Sequence, residues 1–141
     1  MGTSPESRNE ILASNFRRYR ICEERGTGLE KTISAIELSG LPPLNFEEGE
    51  NYFKTTIYTP KPYAKMSTRE RIQACYQHSV IKYLSNRSLT NASLRERFKL
   101  SEKQRSVISR LIKDAFDQKV IKQKDPDNRS DKFAEYVPYW A

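Results

Sequence analysis

Three consecutive stretches decide the fold: Ser67-Thr-Arg-Glu-Arg-Ile-Gln-Ala-Cys-Tyr-Gln-His-Ser-Val-Ile-Lys-Tyr-Leu84, Thr90-Asn-Ala-Ser-Leu-Arg-Glu-Arg-Phe98 and Ser101-Glu-Lys-Gln-Arg-Ser-Val-Ile-Ser-Arg-Leu-Ile-Lys-Asp-Ala-Phe116. Ser67 with Glu70 is a capping box, in which the hydroxyl accepts from a backbone N–H three residues on and the glutamate reaches back. The helix it opens carries Ile72, Cys75, Tyr76, Ser79, Val80, Tyr83 and Leu84 at amphipathic spacing and ends near Asn86-Arg87-Ser88. His78 falls opposite that stripe, on the face expected to be wet. Thr90 or Asn91 caps a second, shorter helix, with Leu94 and Phe98 one turn apart and Leu100 closing onto the core. Ser101 and Gln104 repeat the capping pattern and open a third helix, predicted to turn Val107, Ile108, Leu111, Ile112, Ala115 and Phe116 inward.

Two short helices joined by Lys99-Leu100-Ser101 form a helix-turn-helix candidate. Val120-Ile121-Lys122, the turn dipeptides in Asp125-Pro-Asp-Asn-Arg129 and the run Lys132-Phe-Ala-Glu-Tyr-Val137 then read as a β-hairpin. Three helices and a hairpin in that order predict a winged helix. Tyr136, Tyr139 and Trp140 are expected to fold back onto the helices, because three large rings are costly to leave in water.

The charge supports a polyanionic partner for this part of the chain. The 141 residues carry 25 Lys+Arg and 18 Asp+Glu, a net of +7. Residues 1–61 hold 8 basic and 9 acidic side chains, whereas residues 62–141 hold 17 basic and 9 acidic. The basic excess therefore belongs to the second half, beyond the Pro60-Lys61-Pro62 spacer, whose prolines favour extended backbone. At 100° per residue, Lys103, Ser106, Arg110 and Lys113 share the third helix's face opposite its apolar stripe, and Lys124, Arg129 and Lys132 lie on the hairpin beside it. Lysine and arginine there can neutralise phosphates, and an arginine can read a guanine edge in the major groove.

Other chemistries find little support. Two cysteines, Cys22 and Cys75, and one histidine, His78, cannot build a four-ligand zinc site or a secreted disulfide framework, and they leave no room for a histidine-based triad. No metal site and no catalytic residue is expected. The longest uninterrupted hydrophobic run is three residues, as in Ile11-Leu12-Ala13, so neither a membrane span nor a signal sequence is read, and a cytoplasmic protein is expected.

In the first half, Ile11, Leu12, Phe16 and Tyr19 sit at helical spacing. A second helix follows Glu23-Glu24-Arg25-Gly26-Thr27-Gly28-Leu29, runs through Ile33, Ile36 and Leu38, and stops at Gly40 and Pro42. Asn45 to Tyr58 reads as a hairpin with Glu47 to Asn51 in its turn. Glycines before a helix N-terminus can present backbone N–H groups to phosphate, although a plain turn uses the same residues.

The stretches Arg8-Asn9-Glu10-Ile11-Leu12-Ala13, Glu23-Glu24-Arg25-Gly26-Thr27-Gly28-Leu29 and Gly40-Leu41-Pro42-Pro43-Leu44-Asn45-Phe46 resemble the end of the divergent, GHKL-type ATP-binding domain of bacterial RecG-related helicases or transcriptional regulators. Thr90-Asn-Ala-Ser-Leu-Arg-Glu-Arg-Phe98 and Tyr136-Val-Pro-Tyr-Trp-Ala141 resemble the winged helix that closes such proteins. The resemblance implies an α+β chain: a truncated remnant of the ATPase domain over residues 1–61, then a winged helix-turn-helix over 62–141. It also implies that Gly26, Thr27 and Gly28 correspond to the turn that approaches nucleotide phosphates, with ATP and Mg²⁺ belonging only to an intact domain and no ATPase activity in this chain. A C-terminal piece of a larger protein is expected. Residues 8–58, cut from a parent sheet, should be loosely ordered, packed on the winged helix, or paired with a second copy as a homodimer. Duplex DNA binding in transcriptional regulation is the leading functional expectation. The alternatives are a winged helix serving protein interaction or dimerisation, and a nucleotide-dependent, helicase-linked role of the intact protein.

Overall fold

A computed structural model describes residues 7–22, 28–126 and 134–141. The chain is α+β, with helices α1 (Glu10–Arg18), α2 (Gly28–Leu38), α3 (Thr68–Leu84), α4 (Asn91–Arg97) and α5 (Arg105–Asp117). Its strands are β1 (Asn45–Glu48), β2 (Phe53–Thr56), β3 (Ile121–Gln123) and β4 (Tyr136–Pro138). Contacts divide it into two compact units, Met1–Thr32 and Ile33–Ala141. That division lies upstream of the Pro60–Pro62 spacer, so the second unit includes part of the stretch assigned above to the ATPase remnant.

In the first unit Asn9 caps α1, its side-chain oxygen accepting from the Leu12 N–H at 3.0 Å. Glu10 and Arg17 pair along the helix surface. No residue of α1 is buried, and Ile11 is 78% exposed.

The second unit is built on α3. Its capping box forms as the sequence predicts: Glu70 N–H donates to Ser67 Oγ at 3.2 Å and Ser67 N–H to Glu70 Oε2 at 2.6 Å. Lys61 holds the same carboxylate at 2.7 Å. α4 is capped by Thr90. At Ser101, whose N–H donates to Gln104 Oε1 at 3.0 Å, the chain makes one 3₁₀ turn over Glu102–Gln104 before α5 begins. Met66, Ile72, Cys75, Leu89, Leu94, Phe98, Ile108, Leu111, Ile112, Ala115 and Ile121 form one apolar core. β3 and β4 pair antiparallel in the register Ile121↔Pro138, and Leu89 bridges Tyr136 on the other side of β4. Trp140 Nε1–H donates to the Tyr76 hydroxyl at 3.1 Å and its ring meets Tyr83 edge-on at 5.5 Å, so the aromatic end does return to the helices. The turn expected at 125–129 lies mostly outside the described residues.

The five α-helices of the described residues stop in the same way. Arg20, Gly40, Asn86, Lys99 and Lys119 adopt φ between 54° and 65°, and in each case the next residue's N–H returns to a carbonyl five positions back, as Leu100 does to Arg95 at 2.9 Å and Val120 to Ala115 at 3.1 Å. These are Schellman closures, in which a left-handed residue lets two terminal carbonyls find donors. Only one of the five residues is glycine.

Three sequence expectations need correction. His78 is buried, 5% exposed, because the chain after α2 covers the face of α3 that its own pattern leaves polar. Val107 and Phe116 are 37% and 46% exposed, flanking rather than entering the core stripe of α5. The third helix starts at Arg105 rather than at Ser101.

The cover over α3 is polar as well as apolar. Pro42 and Leu44 are fully buried, and Gln77 Nε2 donates to the Leu44 carbonyl at 3.3 Å. Glu37, near the end of α2, places one carboxylate oxygen on His78 Nδ1 and the other on Arg97 Nε at 2.6 Å. His78 Nε2 meets Ser93 Oγ at 3.0 Å, and Arg97 Nη2 donates to the Leu41 carbonyl at 3.3 Å. Burial pushes the Glu37 carboxyl up, but the His78 hydrogen bond and the Arg97 and His78 charges outweigh it and hold the group below the ordinary carboxylate value. β1 and β2 form a separate hairpin in the register Asn45↔Thr56, stiffened by Phe46 stacked on Phe53 at 5.8 Å.

Candidate nucleic-acid interface

The apolar stripe of α5, Ile108, Leu111, Ile112 and Ala115, faces the core. Helical geometry then turns Ser106, Arg110 and Lys113 to the opposite side, and all three are exposed, as is Lys103 on the 3₁₀ turn just before the helix. Among the described residues Lys103, Arg110 and Lys113 have no ion-pair or hydrogen-bond partner on their charged groups. The acidic residues of α5 are Asp114, half-buried one turn after Arg110, and Asp117, exposed two turns after it; neither forms an ion pair with Arg110.

Four other cations of this half are already committed. Arg95 pairs with Glu102 at 2.7 Å; Arg97 is buried on Glu37; Arg71 lies 4.4 Å above the Tyr63 ring and donates to the Tyr63 carbonyl at 3.2 Å. Lys124 pairs with Glu135 at 2.8 Å, and that hydrogen bond is the main cause of the lowered Glu135 carboxyl. Lys124 is thus close to the rest of the candidate surface in sequence but carries its own counter-charge. Arg129 and Lys132 lie outside the described residues.

Beside the stripe runs a groove of about 700 Å³ between the start of α4, one flank of α5 and the β3–β4 sheet. Arg105, Ser109, Ile112, Lys113 and Phe116 line it from α5, and Tyr136 from β4. Arg105 and Phe116 are absent from the sequence-based site, because a wheel centred on the polar stripe places both toward its apolar edge. The signal that finds them is the i, i+3 pairing of Lys113 with an aromatic residue that the core leaves half exposed.

Gly26 and Thr27 lie outside the described residues. Gly28 opens α2 and its carbonyl accepts from Thr32 Oγ1 at 2.8 Å. Among the described residues, a Cβ on Gly28 would meet no atom within 4 Å. Among the described residues no three His, Cys, Asp or Glu side chains gather to hold a metal ion, and no helix is long and apolar enough to cross a membrane. Burial pushes the Cys75 thiol up to about 12, which leaves it an inert core residue.

Comparison with known proteins locates the first half. Residues 1–57 match the family model described as "Putative ATP-dependent DNA helicase recG C-terminal". The match ends one residue after β2, and residues 58–141, with α3 to α5 and the basic stripe, lie outside it. No curated protein and no solved structure matches the chain.

Proposed function

We propose that residues 62–141 are a winged helix that binds duplex DNA, with α5 in the major groove, within a larger RecG-related ATP-binding protein that acts in transcriptional regulation. The observation that carries the reading is the row Ser106, Arg110 and Lys113 on the face of α5 turned away from the core, with Lys103 on the 3₁₀ turn before it; all four are exposed, and the three cations have no ion-pair partner among the described residues. The order α3, Leu89 bridge, α4, α5, β3, β4 supports it, since three helices followed by a small antiparallel sheet is the order of a winged helix. Arg110 is assigned to a base edge and Lys103 and Lys113 to phosphates, with Lys124, Arg129 and Lys132 on the adjoining backbone. The chain has no catalytic role of its own in this reading; ATP and Mg²⁺ belong to the intact nucleotide-binding domain.

Titration with random and genomic duplex DNA over a salt series tests the proposal. Binding should weaken steeply with salt, and a Lys103→Ala, Arg110→Ala, Lys113→Ala triple variant should flatten the slope by roughly one per phosphate contact removed. Undetectable binding at low salt, or a triple variant that binds like the parent, overturns it.

A protein-interaction role is the second reading, favoured by the half-exposed Tyr83–Trp140 pair with exposed Tyr139 beside it in sequence. Concentration-dependent mass in solution without DNA affinity would select that reading.

A further inference from the structure

The groove flanking α5 has a composition that the outward stripe does not share. Its floor holds Ile112, Phe116, Ala134 and Tyr136, and Phe116 is 46% exposed there. Its charged lining residues are Arg95, Arg105, Lys113, Glu102 and Glu135. Arg95 is matched by Glu102 and Glu135 by Lys124, which leaves Arg105 and Lys113 as the lining charges without a counter-ion among the described residues. The residual charge of the groove is therefore positive, and it stands next to an accessible aromatic ring.

Geometry orders these groups along one edge. Arg105, Ser109 and Lys113 recur every four residues, so they stand about 6 Å apart along α5. Phe116 follows Lys113 at i+3 and is its neighbour on the helix surface. Ser109 Oγ is already taken by Asn91 Nδ2 at 3.0 Å, which fixes the helix edge against the start of α4. Lys113 borders both the groove and the outward stripe, so a chain of phosphates leaving the stripe meets the groove without a gap.

We propose that this groove accepts an unpaired nucleic-acid strand continuing from a bound duplex, with Lys113 and Arg105 on its phosphates and Phe116 stacked on a base. The inference rests on the duplex-binding reading above and adds the substrate class, a duplex with a single-stranded extension. An acidic or amphipathic peptide fits less well, because the groove offers two cations beside a planar ring rather than a continuous apolar trough. Stacking on an aromatic side chain is tolerant of base identity, so the preference should be for strandedness rather than sequence.

Fluorescence anisotropy with three probes decides the matter: a blunt duplex and the same duplex carrying a short single-stranded extension of either polarity. The extension should tighten binding about tenfold for at least one polarity, within the range of a single base stack. Phe116→Ala and Phe116→Leu should abolish that gain and leave blunt-duplex affinity unchanged, while Phe116→Trp should keep it. Arg105→Ala should lower the salt slope on the extended probe by about one and leave the blunt probe's slope alone. Thermal melts of each variant establish that it is folded. A blunt duplex that binds with no gain from either extension overturns the inference and spares the duplex-binding reading. So does a gain that survives Phe116→Ala, and a groove serving a protein segment gives the first of these results. Loss of all three probes by the parent chain overturns both.

Discussion

Replacing Glu37 by Gln isolates the charge that joins the end of α2 to α3 and α4. The substitution keeps the shape of the side chain and removes the counter-ion of Arg97, whose side chain is 2% exposed. Breaking a buried pair from one side costs about 3–5 kcal/mol, because the remaining charge stays out of water. Glu37 itself keeps 11% exposure, so the lower end, about 3 kcal/mol, is expected. For a unit of this size that corresponds to a melting point lower by roughly 10–20 °C. The pH dependence gives the second half of the test. The Glu37 carboxyl is held below its ordinary value in the folded state, so its contribution is full above the unfolded carboxylate value and is lost as pH falls through the folded one. The wild type should therefore lose its advantage over Glu37→Gln in acid, where both carry a neutral group at this position. Circular dichroism melts at neutral and acid pH measure both effects. A neutral-pH gap below about 2 °C would refute the reasoning, as would a gap that stays constant on acidification. The double replacement Glu37→Leu with Arg97→Met should recover most of the loss, since neither charge is then buried alone.

Lys119→Gly should stabilise the second unit by about 0.5–1 kcal/mol, because a left-handed non-glycine residue is strained by roughly 1–2 kcal/mol and this side chain is exposed; a urea titration that shows no rise in midpoint contradicts it. Leu44→Ala, at a position 1% exposed, should cost about 2–5 kcal/mol, whereas Leu38→Ala, at 90% exposure, should stay within about 0.5 kcal/mol of the parent in the same assay. Equal effects at the two positions would mean that Pro42–Leu44 does not cover α3. Arg110→Ala should cost about 1–3 kcal/mol of specific DNA affinity and relax sequence preference, where Lys103→Ala should weaken all duplexes alike; a selection experiment on randomised duplexes separates the two.

The helices of the second half are legible because their signals are local. Ser67 with Glu70 and the cap at Thr90 act within one turn, and a 3.6-residue period places Ile108, Leu111, Ile112 and Ala115 on one side whatever lies beyond them. The outward row of Lys103, Ser106, Arg110 and Lys113 follows from that same period. The β1–β2 hairpin is legible from its second strand, where aromatic and β-branched residues cluster between Tyr52 and Tyr58, but the turn is shorter than the Glu47 to Asn51 expected, because Glu47 and Glu48 belong to β1 and pair with Lys54 and Phe53. The helix endings at Asn86 and Lys99 fall where the sequence places them, whereas the one at Lys119 carries almost no signal, since a left-handed lysine looks like any other polar surface residue.

The sequence by itself determined the identity and order of the elements, the segregation of positive charge into residues 62–141, and the face of α5 free to meet a partner. Tertiary structure alone decided that α3 is covered on two sides. His78 reads as surface because periodicity knows only one apolar stripe, while Glu37, which meets His78 and Arg97 in the interior, lies 41 and 60 residues away. Tertiary packing also decided which cations remain available: Arg95, Arg97 and Lys124 are neutralised by carboxylates and Arg71 is held over Tyr63, whereas Arg105, Arg110 and Lys113 meet no counter-charge among the described residues. Charge counts along a chain are additive, but availability depends on neighbours in space, and those neighbours are set by the fold.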